Sequence, residues 1–546
     1  MSDIRIYSAK TILTMNPAQP RATHIAVKDG RILAIGNAEE ASAWGGTLVD
    51  SLADKVLMPG LVEGHCHAYE GALWEHPYVG FYDRRDPDGK LWPGLKSIEA
   101  VIERLREADA QMSDPERPIF AWGFDPIFFG SRRADRKDFD KISTTRSVAI
   151  IHSSLHLFNV NSALIQRAGI KAGMNVEGVE VDADGEPTGE LREMAAMFLV
   201  YKGLGPYFPR IGVATPEPLW RFARLAQMSG VTTATDLYND LTPQTVENYQ
   251  RVTSDPAFPI RVVPALNSAS RSPDEGVKFL ADLKTSNTAK LHFGIVKVIT
   301  DGSIQGYTAR LKWPHYKNGK NGVWNVSPDD LYAMLDTYHR AGLQIHVHVN
   351  GDEASEAAIE AFERVLLETP QTDHRHTLQH CQLIDRPQME RMQKLGLCAN
   401  IFANHIYYYG DHHYEQLLGP DRANRINPVG SALRHNITLA IHSDAPVTPL
   451  APLFTASCAV SRRTNSGRLL GEYERIEVDQ ALQAITLGAA RTLKLDHEIG
   501  SLEIGKLADL AILEDDPHAV APEQLGAIPV WGTMLGGEIF KAPSGE

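Results

Sequence analysis

The chain has 546 residues, of which 43% are hydrophobic and 22% are charged, a balance typical of globular proteins. This length is too great for one simple core and predicts two or three domains, or one large barrel with insertions. The formal net charge of −14 argues against nucleic acid as the main partner and against binding to an anionic membrane surface.

The two ends of the chain carry the same kind of short apolar segments. The candidate strands are residues 4–7, 11–14 and 24–27 at the start and residues 509–513 and 532–535 at the end. Asp29-Gly30 is a typical hairpin turn. We therefore predict a small β-sandwich domain that is built from residues 1–58 and 496–546.

The start of the chain has no basic segment followed by an apolar run, and we find no apolar run long enough to span a bilayer. The four cysteines are widely separated and form no CxxC pair. The scattered cysteines favour a reduced, cytoplasmic protein. The missing apolar run predicts that the chain has no membrane segment.

An apolar run from Val56 to Val62 leads to His65-Cys66-His67. In an extended strand, residues two apart point to the same side, so His65 and His67 can approach one metal ion. With 21 histidines in the chain, about one such pair is expected by chance, so the pair alone is weak evidence. Further ligand-type residues at other strand ends would make it strong.

Residues 70–215 do not follow the pattern of the segments around them. The stretch is long and includes Trp122, Phe124, Phe128 and Phe129. We predict that it is an insertion after the first strand of a barrel and that it covers the barrel mouth.

The rest of the middle region alternates strands with helices. Ser327-Pro328 is a helix start, Gly342 ends that helix, and an apolar segment that contains His346 and His348 follows. The further candidate strands are residues 231–236, 259–266, 291–300, 343–348, 377–380, 397–401 and 438–441. With the strand before His65 they number eight, which predicts an α/β fold with a (β/α)8 TIM-type barrel over residues 59–495.

Five of these strand ends carry side chains of the metal-binding type. They are His65 with His67, Lys297, His348, His380 and Asp444. A lysine inside the apolar segment around residue 297 is costly unless it is paired or chemically changed. Carbamylation by carbon dioxide is such a change, because it converts the amine into a carboxylate that can bridge two metal ions.

Several short motifs occur together in one order. They are Pro59-Gly60-Leu61-Val62 ahead of His65-Cys66-His67, Lys297 ahead of Asp301-Gly302-Ser303, His348 ahead of Gly351-Asp352, Gln379-His380, and Ser443-Asp444-Ala445-Pro446-Val447. Residues 230–236 and 500–510 extend the match over nearly the whole chain. The combination resembles the amidohydrolase superfamily, in particular its YtcJ-like branch, amidohydrolase family 3, which includes N-substituted formamide deformylase.

This resemblance implies a site for one or two divalent metal ions. His65, His67 and Asp444 would hold one ion, His348 and His380 would hold the other, and carbamylated Lys297 would bridge them. Zinc is the first choice, because it accepts both imidazole and carboxylate ligands. A free lysine beside a single ion is the alternative. The resemblance also implies that the metal activates a water, with Asp444 as the general base and then the general acid.

Four residues are candidates for substrate binding. His156 belongs to a segment similar to the family's insertion signature, Trp122 lies in the insertion, and Tyr407 follows the seventh strand. His442 stands where the family more often has a small residue. The aromatic residues favour an apolar or aromatic substrate group, although an aromatic core is the alternative. We assign His374, His376, His412 and His413 to the surface or to loops.

The sequence therefore predicts an amidohydrolase that cleaves a carbon–nitrogen bond other than a peptide bond, in an N-substituted amide or formamide. A cyclic-amide hydrolase or a deaminase is the alternative reaction. A non-catalytic scaffold is the alternative class, and it should have lost ligands that are present here. We expect a small-molecule substrate and a homodimer.

Overall fold

The computed structural model describes residues 4–130, 133–209 and 214–543. Residues 1–3, 131–132, 210–213 and 544–546, which fall within the predicted terminal domain and insertion, lie outside the described residues. The main elements are a parallel sheet of eight strands, a sheet built from both ends of the chain, and a five-stranded sheet in the insertion.

The two ends of the chain form one sheet, in which Val56–Pro59 pairs with the N-terminal strand Arg5–Leu13 on one side and with Leu510–Leu513 on the other. The remaining strands are Arg21–Lys28, Arg31–Gly36, Thr47–Val49, Val530–Leu535 and Glu538–Lys541. Alternation along a strand separates its two faces. Leu57 packs with the apolar residues of this sheet, whereas Val56 and Met58 pack into the barrel core.

The apolar run before His65 divides between two sheets at Gly60. Val56–Pro59 belongs to the terminal sheet, and Leu61–Glu63 is the first barrel strand. A Cβ atom at residue 60 would lie 2.0 Å from Thr232 Oγ1, so only glycine allows this close approach. The exact division of the chain into domains at residues 58/59 and 495/496 stays a prediction.

The parallel sheet has its eight strands in chain order, which confirms the predicted (β/α)8 barrel. Barrel strands 1 to 8 are Leu61–Glu63, Val231–Asn239, Arg261–Asn267, Ile295–Ile299, Gln344–Val349, Thr377–His380, Cys398–Ile401 and Leu439–Ile441.

Strands 1 and 8 meet at their carboxyl ends. The Asp444 N–H donates to His65 O at 3.1 Å, and the His67 N–H donates to Ala445 O at 2.8 Å. These bonds bring the two ligand-bearing loops together.

Helices that follow the strands cover the barrel. They are Pro216–Met228, Pro243–Thr253, Pro273–Lys284, Pro328–Arg340, Asp352–Glu368, Arg386–Leu395, His405–His412, Pro420–Ala423, Val429–Arg434, Pro452–Ser461, Val478–Ala484 and Leu487–Thr492. The predicted start of helix Pro328–Arg340 is confirmed. Ser327 is its N-cap, and the Ser327 side chain accepts a hydrogen bond from the Asp330 N–H. Among the described residues, no helix is both long enough and apolar enough to cross a membrane.

The insertion after strand 1 has its own sheet and its own apolar cores. The sheet contains Ile119–Phe124, Val148–His152, Leu157–Val160, Pro187–Arg192 and Val179–Val181, and a ribbon joins Arg84–Arg85 to Leu91–Trp92. Its helices are Glu70–Leu73, Ile98–Gln111, Arg136–Phe139, Ser162–Ala168 and Glu193–Leu204. The start of strand Leu157–Val160 and the start of helix Glu193–Leu204 place His156 and Glu193 at the barrel mouth, beside His348 and Asn325.

Candidate metal centre

All six predicted ligand residues lie near the carboxyl ends of the barrel strands, where parallel strands of a barrel converge. Their side chains are buried or nearly buried. The structure therefore brings together residues that lie up to 379 positions apart, from His65 to Asp444.

The carboxylate of Asp444 lies between three imidazoles. Oδ1 is 3.4 Å from His65 Nε2 and 3.3 Å from His67 Nε2, and Oδ2 is 3.8 Å from His380 Nδ1. Burial alone would raise the pKa of Asp444, but the hydrogen bond and charge of His67 hold it below its ordinary value. Asp444 is thus an ionised carboxylate at neutral pH.

A chain of hydrogen bonds fixes the tautomer of His65. The carbonyl of Thr492 can only accept, so His346 donates from Nε2 at 3.0 Å and accepts at Nδ1 from Gln379 Nε2 at 2.8 Å. Gln379 Oε1 then accepts from His65 Nδ1 at 2.8 Å. Because burial also lowers the pKa of His65 well below its ordinary value, the Nε2 atom carries a lone pair that faces the Asp444 carboxylate.

Lys297, His348 and His380 complete the group from strands 4, 5 and 6. Lys297 Nζ is 3.5 Å from His65 Nε2, and His380 Nε2 is 3.0 Å from His348 Nδ1. Burial lowers the pKa of Lys297 to about 7, so a large fraction of the amine is uncharged near neutral pH.

Two buried carboxylates support the ligand loops. Glu63 accepts from the Ser443 N–H at 3.1 Å and from its hydroxyl at 3.0 Å, next to Asp444. Asp301 accepts from the N–H groups of Asn350 and Gly351, beside His348. Burial raises the pKa of Glu63 to about 8 and that of Asp301 to about 7.

A small cavity of about 20 Å³ adjoins the cluster, and His156, His348, His380 and Asp444 are among the residues that line it. His156 Nδ1 is 3.0 Å from Glu193 Oε2. Burial alone would lower the pKa of His156, but the Glu193 carboxylate raises it.

Glu193 adopts a positive φ of 59°, an unusual backbone conformation for a residue other than glycine. A Cβ atom at Gly302 would lie 2.3 Å from Glu193 Oε1, so glycine leaves the space that this carboxylate occupies. On its other side Glu193 lines an open pocket of about 690 Å³. The pocket has apolar walls from Ile127, Met194, Tyr307 and Trp324 and cationic groups from Arg133, Arg192 and Lys320.

The other three substrate-binding candidates lie elsewhere. Trp122 is buried in the insertion core, where it contacts Trp74 and Tyr78. Tyr407 is half-buried and packs edge-on against Phe454. His442 is fully buried, with its ring stacked on His65 at a centroid distance of 4.6 Å.

The assignment of four histidines to the surface or to loops is wrong for His413, which is buried in a helical turn, whereas His374 and His376 lie in the loop ahead of strand 6 and are buried there. His374 donates from Nε2 to Leu395 O at 2.9 Å, and His376 accepts at Nδ1 from the Ile345 N–H at 3.2 Å. Both lie at the amino end of the barrel, away from the ligand loops.

Sequence reasoning also missed the supporting residues Glu63, Gln379 and Glu193. Glu63 lies two residues before His65, and Gln379 directly precedes His380. Both are polar residues inside apolar barrel strands, and this unusual placement could have identified them from the sequence. No local pattern marks Glu193.

The architecture is a (β/α)8 barrel with a buried histidine–carboxylate cluster at the carboxyl ends of its strands. An uncharacterized metal-dependent hydrolase from Pyrococcus horikoshii OT3 has this fold, with a TM-score of 0.72 and 22% identity over 95% of this chain and 99% of that chain.

Curated relatives match over nearly the full length. Protein LONG AFTER FAR-RED 3 of Arabidopsis thaliana is 28% identical over 97% of this chain and 90% of its own length. The putative amidohydrolase YtcJ of Bacillus subtilis is 25% identical, and the N-substituted formamide deformylase of Arthrobacter pascens is 24% identical, each over 98% of both chains.

The family model described as "Amidohydrolase family" matches residues 49–540, so the chain belongs to the amidohydrolase family. As a member of this family it is a hydrolase that acts on carbon–nitrogen bonds. The recognition made from the sequence motifs is thereby confirmed.

Proposed function

We propose that the chain is a metal-dependent hydrolase of N-substituted formamides or small N-substituted amides, with Asp444 as the proton-transfer group. One observation carries this proposal: the ionised Asp444 carboxylate faces His65 and His67 and lines the same cavity as His156. Hydrolysis of a carbon–nitrogen bond needs a group that moves a proton from water to the leaving nitrogen, and Asp444 is in the position to do so.

The residues present fit a divalent cation. The Nε2 lone pair of His65 faces a carboxylate oxygen, and the buried His67 Nδ1 and His380 Nδ1 have no hydrogen-bond partner among the described residues. Ligand atoms from His65, His67 and Asp444 lie within 4.8 Å of one another. These three residues would hold one ion, and His348 and His380 would hold a second. The donor set suits Zn²⁺, which when bound acidifies water and polarises a carbonyl.

Lys297 is the candidate bridge between the two positions. Carbamate formation needs an uncharged amine, which attacks carbon dioxide to form the N–C bond and then releases a proton to solvent. The low pKa of Lys297 supplies that amine, and its Nζ atom lies beside His65 Nε2.

In the reaction, Asp444 takes a proton from the attacking water as the new carbon–oxygen bond forms. It then gives this proton to the amide nitrogen as the carbon–nitrogen bond breaks, which yields a carboxylic acid and an amine; the acid then releases its remaining proton to solvent. Glu63 keeps Asp444 in place through Ser443. His156, oriented by Glu193, would donate to the substrate oxygen from the cavity wall.

The cavity supports a small acyl group on the substrate. A volume of about 20 Å³ holds little more than one water-sized group, which favours formyl over larger acyl groups. The pocket of about 690 Å³ beyond Glu193 would take the substituent on nitrogen, and Tyr307 and Trp324 favour an apolar or aromatic one. The relative from Arthrobacter pascens bears the name of a formamide deformylase.

A pair of substrates that differ by one methyl group tests this proposal. We expect hydrolysis of N-benzylformamide with a kcat/KM about 10- to 200-fold above that for N-benzylacetamide, because one extra methyl group meets the cavity wall. The same screen includes cyclic amides and amino-substituted heterocycles. Turnover of those compounds alone would contradict the proposal and favour the cyclic-amide hydrolase or deaminase alternative.

We also propose a cytoplasmic location, which the four free and buried cysteines support. The homodimer expected from the sequence stays a prediction. Light scattering on the purified full-length chain tests it.

A further inference from the structure

His442 lies inside the barrel directly beside the metal centre. It precedes Asp444 by two residues, and its ring centroid is 4.6 Å from that of His65 and 5.0 Å from that of His380. The His442 ring is completely buried, and its centroid is 4.8 Å from that of the Phe402 ring. His442 is not among the residues that line the cavity, so its position differs from that of a substrate-binding residue.

Within the part of the chain that the structure describes, both ring nitrogens of His442 lack a hydrogen-bond partner. A neutral imidazole has one donor and one acceptor, and leaving either unpaired in a protein interior is unfavourable. His346 shows the contrast, because it is equally buried in the barrel and bonds through both nitrogens, to Thr492 O and to Gln379. Hydrogen bonds within the barrel therefore account for the burial of the His346 ring but not for the burial of the His442 ring.

The nitrogens of His442 lie close to other ligand-type atoms. One ring nitrogen from each of His65, His380 and His442 lies within 4.8 Å of the other two. In a tetrahedral zinc site with bonds of about 2.0–2.1 Å, ligand atoms are about 3.3 Å apart, so a small rotation of His442 would bring its nitrogen to the ion held by His65 or to the ion held by His380.

We propose that His442 is a further imidazole ligand of the metal centre, on the side formed by His65 and His380. This inference goes beyond the proposed function, because it adds a nitrogen donor to the set that the family resemblance implies. An imidazole-rich set binds Zn²⁺, Ni²⁺ and Co²⁺ in preference to Mg²⁺ or Mn²⁺.

The test is a titration of the metal-free full-length protein with Co²⁺ alone. For His442→Ala and His442→Gln we expect at least about tenfold weaker Co²⁺ binding and a changed visible absorption spectrum. His413→Ala is the matched control, because His413 is also buried with both nitrogens unpartnered but its ring neighbours are His405 and Tyr409. The control variant should keep the wild-type affinity and spectrum.

Wild-type Co²⁺ affinity and spectrum in folded His442 variants would overturn the inference. If the variants do not fold, a crystal structure of the zinc-loaded wild type decides: a His442 nitrogen about 2.0–2.1 Å from zinc supports ligation, and a distance above about 3 Å contradicts it. If the wild-type protein binds neither Co²⁺ nor Zn²⁺, the proposed function is contradicted as well. If the wild-type protein binds these ions and the His442 variants bind them equally well, only the role of His442 is contradicted.

Discussion

The barrel has a group of buried histidines at each end, and the two groups differ in how their ring nitrogens are paired. At the amino end, His339 donates from Nε2 to Thr369 O at 2.7 Å and accepts at Nδ1 from His376 Nε2 at 2.9 Å. His376 and His374 bond to backbone groups through their remaining nitrogens. Every ring nitrogen in this amino-end group therefore has a partner.

At the carboxyl end, the histidines instead face a carboxylate, an amine and one another. Over residues 4–130, 133–209 and 214–543, no hydrogen-bond partner is present for His67 Nδ1, His380 Nδ1 or either ring nitrogen of His442. Burial is thus the same at the two ends, and the pairing of polar atoms separates the amino-end group from the candidate metal centre. A buried histidine is a functional candidate when its unpaired nitrogens also lie beside other ligand-type atoms, as those of His442 do.

The largest expected effect is at the carboxyl end, for Asp444→Asn. This change keeps the size of the side chain but removes its capacity to accept a proton, so we expect kcat to fall about 10³- to 10⁴-fold. Metal content, measured by atomic emission, should remain largely unchanged. Activity near that of the wild type would refute the proton-transfer role.

A smaller effect is expected where the hydrogen-bond chain holds His65. Gln379→Leu removes the acceptor for His65 Nδ1, and we expect Zn²⁺ affinity to fall about 10- to 100-fold in a chelator-competition titration. Gln344→Leu is the matched control, because Gln344, like His346, donates to Thr492 O, at 2.8 Å, but Gln344 has no hydrogen bond to His65 among the described residues. Equal losses in the two variants would count against a positioning role for Gln379.

At the amino end, substitution should change stability and not catalysis. His339→Leu leaves Thr369 O and His376 Nε2 unpartnered, so we expect the free energy of unfolding to fall by about 1–3 kcal/mol in urea denaturation. kcat and Zn²⁺ affinity should stay at wild-type values. A loss of Zn²⁺ affinity would show that the two ends are not independent.

The smallest effect is a change in the pH dependence of stability. Burial, with His374 and His339 nearby, holds the pKa of His376 well below its ordinary value of 6.5. Below pH 6.5 the unfolded chain binds a proton that the folded chain excludes, so stability falls as the pH is lowered. His376→Gln should make this slope shallower by up to about 1.4 kcal/mol per pH unit, measured by denaturation of chelator-treated protein. An unchanged slope would contradict the buried neutral state.

The sequence predicted the strand ends well because each is marked locally. Pro328 and Gly342 bound the helix before strand 5, and the apolar segment predicted that strand as residues 343–348, one position from the observed Gln344–Val349. Parallel strands then bring such ends together without further information. The supporting contacts were not predictable in this way, since His65 and Gln379 are 314 positions apart and no local pattern relates them.

The sequence by itself determined the family, the barrel and the order of the six ligand-type residues, because alternation, turn residues and motif spacing are properties of neighbouring residues. Tertiary structure alone decided which buried histidines keep unpaired nitrogens, that Trp122 belongs to the insertion core, and that Glu193 orients His156. The physical reason is that a ring nitrogen bonds to whatever the fold brings within about 3 Å, and that partner is seldom a neighbour in the chain.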